Sequence, residues 1–158
     1  MGPLRLWLAS IALQRRGHRR LAGCVQALNT LLYSNSLSAR ASVGPKIWLG
    51  HHAFGIVVHD NVELGRKVTL WHNCSLEVRG DADARLVIED EVNIGASAVI
   101  VTPPGRSLRI GRGARIGAGA VVTHDVEPGR TVVAARTRVI EAGADTDAEA
   151  EAGADADA

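Results

Sequence analysis

The chain has 158 residues, 46% hydrophobic and 3% aromatic, with a formal net charge of +1. That length suits one domain with a real core, and two cysteines are too few for a disulfide framework. The near-neutral total hides an asymmetry. Residues 141–158 hold seven of the 17 acids and none of the 18 Lys and Arg, and no acid precedes Asp60.

Residues 3–34 read as helix, within an N-terminal segment of residues 1–35. Leu4, Trp7, Leu8, Ile11 and Ala12 fall on one face, and Leu21, Val25, Leu28, Leu31 and Leu32 repeat the pattern beyond Gly17, where a kink or short turn is expected. Such a basic amphipathic stretch can lie on a membrane surface, but packing of its apolar face on the rest of the fold or on a neighbouring copy is the expected arrangement. Arg5, Gln14, Arg15 and Arg16 interrupt the apolar run, so neither stable membrane insertion nor a secretory signal is expected, and the cytoplasm is the expected compartment. Nucleic acid is not expected as a partner of the basic body. Tyr33 and Phe54 are the only aromatics besides three tryptophans, and no recognition motif is present.

Residues 36–140 carry a period of six. Val58, Leu64, Leu70 and Leu76 are so spaced, as are Ile88, Ile94 and Ile100, then Ile110, Ile116 and Val122. Small or β-branched partners follow four positions later, at Val62, Val68, Cys74, Val92, Ala98, Ala114, Ala120 and Val126. Six fits neither a helix nor an isolated strand. It fits a chain coiled around a triangular prism, with three units per turn and one short strand per face, which is a parallel β-helix. The low aromatic content agrees, because a narrow prism has room for stacked columns of Val, Ile, Leu and Ala. Polar excess residues at 78–85 and around Pro103-Pro104-Gly105 are expected as corner loops, with a smaller insertion near Phe54-Gly55. The glycines that follow the aliphatic positions (Gly44, Gly50, Gly65, Gly95, Gly111, Gly117) are expected to supply permissive dihedrals at corners. Residues 141–158, built of Ala, Gly, Asp and Glu with one Thr, are expected to form a disordered acidic tail.

Among the six histidines, His51 and His52 border the first insertion, and the repeat places His72 on the same face one coil from His51. Coils about 4.8 Å apart bring such imidazoles near each other. A general base is the expected use. Metal is not expected, because two histidines five apart with a third one coil away are absent.

The segment Ser36-Leu37-Ser38-Ala39-Arg40-Ala41-Ser42-Val43-Gly44-Pro45-Lys46-Ile47-Trp48-Leu49-Gly50-His51, continuing to Gly55-Ile56-Val57-Val58, resembles the opening of the serine acetyltransferase family of hexapeptide-repeat acyltransferases. Val68-Thr69-Leu70-Trp71-His72-Asn73, Ile94-Gly95-Ala96-Ser97-Ala98-Val99 and Ile116-Gly117-Ala118-Gly119-Ala120-Val121-Val122 are similar to the same proteins.

The resemblance implies a left-handed β-helix assembled as a trimer or a dimer of trimers. Acetyl-CoA would lie between adjacent prisms, and an L-serine hydroxyl would attack its thioester to make O-acetylserine for cysteine synthesis. The family's general base falls on His51 when counted from the N-terminal side and on His52 when counted back from Gly55; His51 keeps the register of the repeat. His72 and Arg85 are the expected substrate contacts, and Ala96, Ala118 and Arg136 the expected cofactor contacts. The pattern departs from the family at Ser36, where a base-orienting acid is usual, at Gly50, where an acid contacts the substrate amine, and at Arg85, which replaces a second histidine. Asp60, Asp81 and Asp83 are candidate substitutes for the missing carboxylate. These departures leave open another acceptor, such as a sugar or a biosynthetic intermediate, or a catalytically silent trimeric scaffold.

Overall fold

The computed structural model describes residues 2–80 and 83–135. Among these, two helices, α1 (Pro3–Arg15) and α2 (Arg19–Tyr33), precede fourteen short strands numbered in chain order. Up to β13 every third strand joins the same sheet, so the chain winds round a three-faced prism; Val126 then makes only an isolated bridge to Ile110, and β14 joins the third face. The first face stacks β1 (Ser36–Leu37), β4 (Val57–Val58), β7 (Ser75–Glu77), β10 (Val99–Val101) and β13 (Val121–Val122). The second stacks β2 (Ser42–Val43), β5 (Val62–Leu64), β8 (Leu86–Ile88) and β11 (Leu108–Ile110), and the third β3 (Trp48–Leu49), β6 (Thr69–Leu70), β9 (Asn93–Ile94), β12 (Arg115–Ile116) and β14 (Thr131–Val132). All pairs are parallel, as in Leu49↔Leu70↔Ile94↔Ile116. This is the left-handed β-helix expected from the six-residue period.

The columns predicted from spacing form the core. Leu70, Leu76, Ile94, Ile100, Ile110 and Val122 are fully buried, and the small partners from Val62 to Val126 are at most 5% exposed. Cys74 belongs to the second set, and burial pushes its thiol up to about 12, so it packs as a small hydrophobe.

The corner glycines act differently from expectation. Gly44, Gly65, Gly95 and Gly111 lack positive φ; a Cβ on each would lie 2.5–2.7 Å from backbone of the next coil. They are glycine because coils approach closely there. The left-handed residues sit two positions further on, at Lys46, Lys67, Glu91 and Gly113 on one edge and at Asn73, Ser97 and Gly119 on another. The two polar excesses stack on the third edge. Arg79 donates its amide to Thr102 Oγ1 at 2.9 Å, Gly105 donates to the Arg79 carbonyl at 3.1 Å, and Gly80 (φ +98°) has Gly105 backbone where a Cβ would stand.

The helices form a hairpin across the first coil, reversing at Gly17 (φ +85°). Trp7 is fully buried and donates its indole N–H to the Ser38 carbonyl at 2.7 Å. The buried face of α1 is Pro3, Leu6, Trp7, Ser10 and Ile11, which leaves Leu8 and Ala12 outside. In α2 the expected packing face is reversed: only Ala22 and Asn29 are buried, while Leu21, Leu28, Leu31 and Leu32 face outward. Polar anchors set that rotation. Gln26 Oε1 accepts the Ala39 amide at 3.1 Å, and Asn29 Nδ2 donates to the Pro3 carbonyl at 3.1 Å. The acidic tail expected at 141–158 lies outside the described residues.

A ladder of charges runs down one edge. Asp90 bridges Arg66 (3.3 Å) and Arg112 (3.9 Å), Glu89 meets Arg109 (2.6 Å), and Glu91 meets Lys67 (2.9 Å). The Arg112 amide and then the Arg109 side chain hold the Glu89 carboxyl below its usual range; the Arg66 amide does so for Asp90, and the Lys67 ammonium for Glu91. Depressed folded values mean that this stabilisation is present above the ordinary carboxylate range and lost as pH falls through the lowered values. Thermal melts are therefore expected to move down modestly as pH falls below the ordinary carboxylate range, because these pairs lie at the surface, and Glu89→Gln should flatten that dependence. In the core, Ile94→Ala should cost about 2–5 kcal/mol in denaturant unfolding, because its neighbours in the column are held by coil-to-coil hydrogen bonds and cannot close the void.

Candidate active site

The edge between the third and first faces carries the histidines singled out by the repeat. In the first coil it is widened by a tight turn, Gly50–Ala53, inserted between β3 and β4. Three successive residues of that turn, His51 (φ 45°), His52 (φ 57°) and Ala53 (φ 62°), are left-handed. A run of non-glycine residues in that region is strained, and it turns both imidazoles out while Ala53 is buried. The turn is closed by Gly55, whose amide donates to the Ser34 carbonyl at 2.9 Å and whose missing Cβ leaves room for the Asn73 side chain.

One coil on, the same edge presents Trp71 and His72. The His51 and His72 rings meet edge-on, with centroids 4.6 Å apart and planes at 84°, as the repeat predicts for this pair. Trp71 lies 6.0 Å from His51 and packs edge-on against Trp48 at 5.0 Å. The Nδ1 of His72 is buried without a hydrogen-bond partner among the described residues. Next to this group lies a cleft of about 450 Å³, walled by Trp48, Leu49, His51 and His52 on one side and by Pro3, Leu4 and Arg5 at the start of α1 on the other. Neither the tryptophan pair nor the helix wall is among the expected site residues. The tryptophans carry a signal in the sequence, since both flank an inward aliphatic residue of the histidine-bearing units. Arg5 carries none, because helix docking alone brings it there.

Below His72 the edge narrows to small residues. Ser97 donates its amide to the His72 carbonyl at 3.0 Å and Gly119 donates to the Ala96 carbonyl at 2.9 Å, so Ala96 and Ala118 continue the histidine column one and two coils further. Ala96 is half-buried and Ala118 exposed. At about 4.8 Å per coil, this makes a shallow track roughly 10 Å long leading away from the imidazoles. No large side chain stands on the two alanine corners. Arg136 lies outside the described residues.

Other expected residues lie elsewhere. Arg85 sits at the start of β8 on a different edge, 3.6 Å from Glu63, in a cleft of about 250 Å³ with Arg40 and Asp60. Within one chain it is not joined to the histidines. Asp60 is not a partner for them either: it accepts from the Ser38 hydroxyl and pairs with Arg40 at 3.0 Å. Asp83 is exposed in the loop before β8, and Asp81 is outside the described residues. Among the described residues, no carboxylate bonds to His51, His52 or His72, and no three metal-ligating side chains come together. At Gly50 the aromatic pair fills the space: a Cβ would lie 3.1 Å from the Trp48 ring and 3.2 Å from the Trp71 ring.

Because left-handed φ penalises a side chain and not glycine, His52→Gly should raise stability by up to about 1 kcal/mol in chemical denaturation. A neutral or destabilising effect would show that the His52 side chain makes compensating contacts.

Comparison with known proteins agrees with this architecture. A family profile described as the hexapeptide repeat of succinyl-transferase matches residues 85–124. A curated serine acetyltransferase of Mycobacterium tuberculosis is 32% identical over 130 residues, 81% of this chain and 55% of that protein. One from Bacillus licheniformis is 30% identical over 139 residues, 85% of this chain and 62% of that one. The crystal structure of the Neisseria gonorrhoeae serine acetyltransferase in complex with serine superposes with a TM-score of 0.75 at 29% identity, covering 87% of this chain and 55% of that one. The soybean apoenzyme does so with a TM-score of 0.76 at 30% identity, covering 87% and 56%. The chain is thus a hexapeptide-repeat protein similar to serine acetyltransferases along most of its length, and it spans little more than half of theirs.

Proposed function

We propose that this hexapeptide-repeat relative of the serine acetyltransferases is an acetyl-CoA-dependent O-acetyltransferase, with L-serine as acceptor and O-acetyl-L-serine as product. The observation that carries the reading is the His51–His72 pair at the head of a small-residue track, since acyl transfer needs a base beside an approach for the thioester. His51 takes the proton of the acceptor hydroxyl as its oxygen attacks the thioester carbonyl. The carbon–sulfur bond then breaks, and the imidazolium returns the proton to the departing thiolate. Imidazole, which can accept and return a proton, suits both transfers. His72, in ring contact with His51, is the candidate to orient it. Ala96 and Ala118 leave room for the pantetheine arm.

Beyond the histidine cleft, the track past Ala96 and Ala118 on one edge of one prism has a single wall. Assembly as a trimer, or a dimer of trimers, supplies the second, and the Arg85-bearing edge of a neighbouring copy is the candidate to bring a cation to the acceptor carboxylate. The cytoplasm is the proposed compartment.

One observation favours a second acceptor. With Trp48 and Trp71 occupying the space beside Gly50, no carboxylate stands there to receive an ammonium group, while an exposed indole face suits the apolar face of a sugar ring. An O-acetyltransferase acting on a sugar hydroxyl uses the same base and the same track.

Purified protein mixed with acetyl-CoA and serine should release free thiol, and His51→Ala should lower turnover by about 10²–10⁴-fold, while His52→Ala keeps most of it. Thiol release with an amino sugar in preference to serine would select the second acceptor. No release with serine or a panel of hydroxylated acceptors would remove the enzyme claim.

A further inference from the structure

We propose that the outer face of α2, together with the arginines of the hairpin tip, docks the protein on an anionic lipid bilayer. The inference is independent of the acyltransferase reading. Leu21, Leu28, Leu31 and Leu32 lie along one side of α2 and are 57%, 45%, 81% and 59% exposed, with Cys24 exposed between them. The inward side is fixed by Ala22, Gln26 and Asn29, so the leucines cannot rotate into the fold. From Leu21 to Leu32 the stripe runs about 16 Å at 1.5 Å per residue, long enough to lie in an interface and far too short to span one. Among the described residues no helix is long and apolar enough to cross a membrane.

Charge selects the occupant. Arg15, Arg16, Arg19 and Arg20 cluster at the turn beside Leu21, and no acid occurs before Asp60. A symmetric contact between two copies of this face brings together two strongly basic surfaces with no acid on either hairpin. On another part of a second copy, Asp60, Glu63, Glu89, Asp90 and Glu91 are each engaged by an Arg or Lys of their own chain, which leaves Glu77, Asp83, Asp125 and Glu127 among the described acids to meet the arginine cluster. The acidic segment 141–158 can supply charge but contains no large apolar residue to cover leucines. An anionic bilayer supplies both an apolar layer for the leucines and negative headgroups for the arginines, each arginine near such a surface being worth roughly fivefold in partitioning.

The test is co-sedimentation of the full chain with phosphatidylcholine vesicles, with and without 30% phosphatidylglycerol, as salt is raised. Binding is expected with the anionic vesicles only, falling with salt over the range where the Debye length shrinks below ~10 Å. Leu28→Ser with Leu31→Ser should reduce it roughly tenfold or more, and Arg19→Gln with Arg20→Gln by roughly 25-fold, with circular dichroism and light-scattering mass unchanged. Absence of binding by the unaltered chain overturns the proposal without any variant. Binding indifferent to the leucine pair also overturns it, reducing the effect to surface charge. A fall in mass of the leucine variant shows instead that the face joins copies of the chain, and overturns it too.

Discussion

Backbone pairing between successive coils fixes everything else in this molecule. A parallel stack advancing about 4.8 Å per coil leaves no freedom in which side chains become neighbours: residues one turn apart in sequence sit one above another. The interior columns are one consequence, with Leu70, Ile94 and Ile116 in register on the third face. The close approach of glycine-bearing corners, with next-coil backbone 2.5–2.7 Å from where a Cβ would stand at Gly44, Gly65, Gly95 and Gly111, is another. The proposed site is a third, because stacking is what brings the imidazoles of His51 and His72 into ring contact across 21 positions of sequence.

The same rule explains why so much of the fold is legible in the sequence. A six-residue period is a direct image of the prism, so residue spacing alone yields the buried columns, the two excess loops and the pairing of His51 with His72. Legibility ends where the repeat ends. The corner glycines read as dihedral positions, yet their role depends on inter-coil distance, which no pattern of residue types reveals. The helical hairpin obeys polar anchors at Gln26 and Asn29 more than its own leucine periodicity, so that periodicity points to the wrong inward face. Alignment groups Arg85 with the histidines, but its edge of the prism is another one, and only assembly of several chains can bring such edges together.

Strain and substitution meet at one corner. His51, His52 and Ala53 hold a left-handed turn that aliphatic positions elsewhere avoid, and Trp48 and Trp71 occupy the space around Gly50. A turn held in this way is rigid at the place where a base needs fixed orientation. The aromatic pair also gives the turn a flat apolar wall and leaves no room for a side chain at position 50. The proposed chemistry rests on what the first two coils display, while the later coils present only Ala96 and Ala118 on the same edge.

The central claim is that the edge bearing His51, His72, Ala96 and Ala118 is where the acyl donor lies. A crystal of the full chain soaked with CoA tests it directly. The account predicts the thiol beside His51 and the pantetheine arm running past Ala96 and Ala118, with a neighbouring copy closing the groove. CoA bound on another edge, or a monomer with His51 facing open solvent and no CoA, would contradict it.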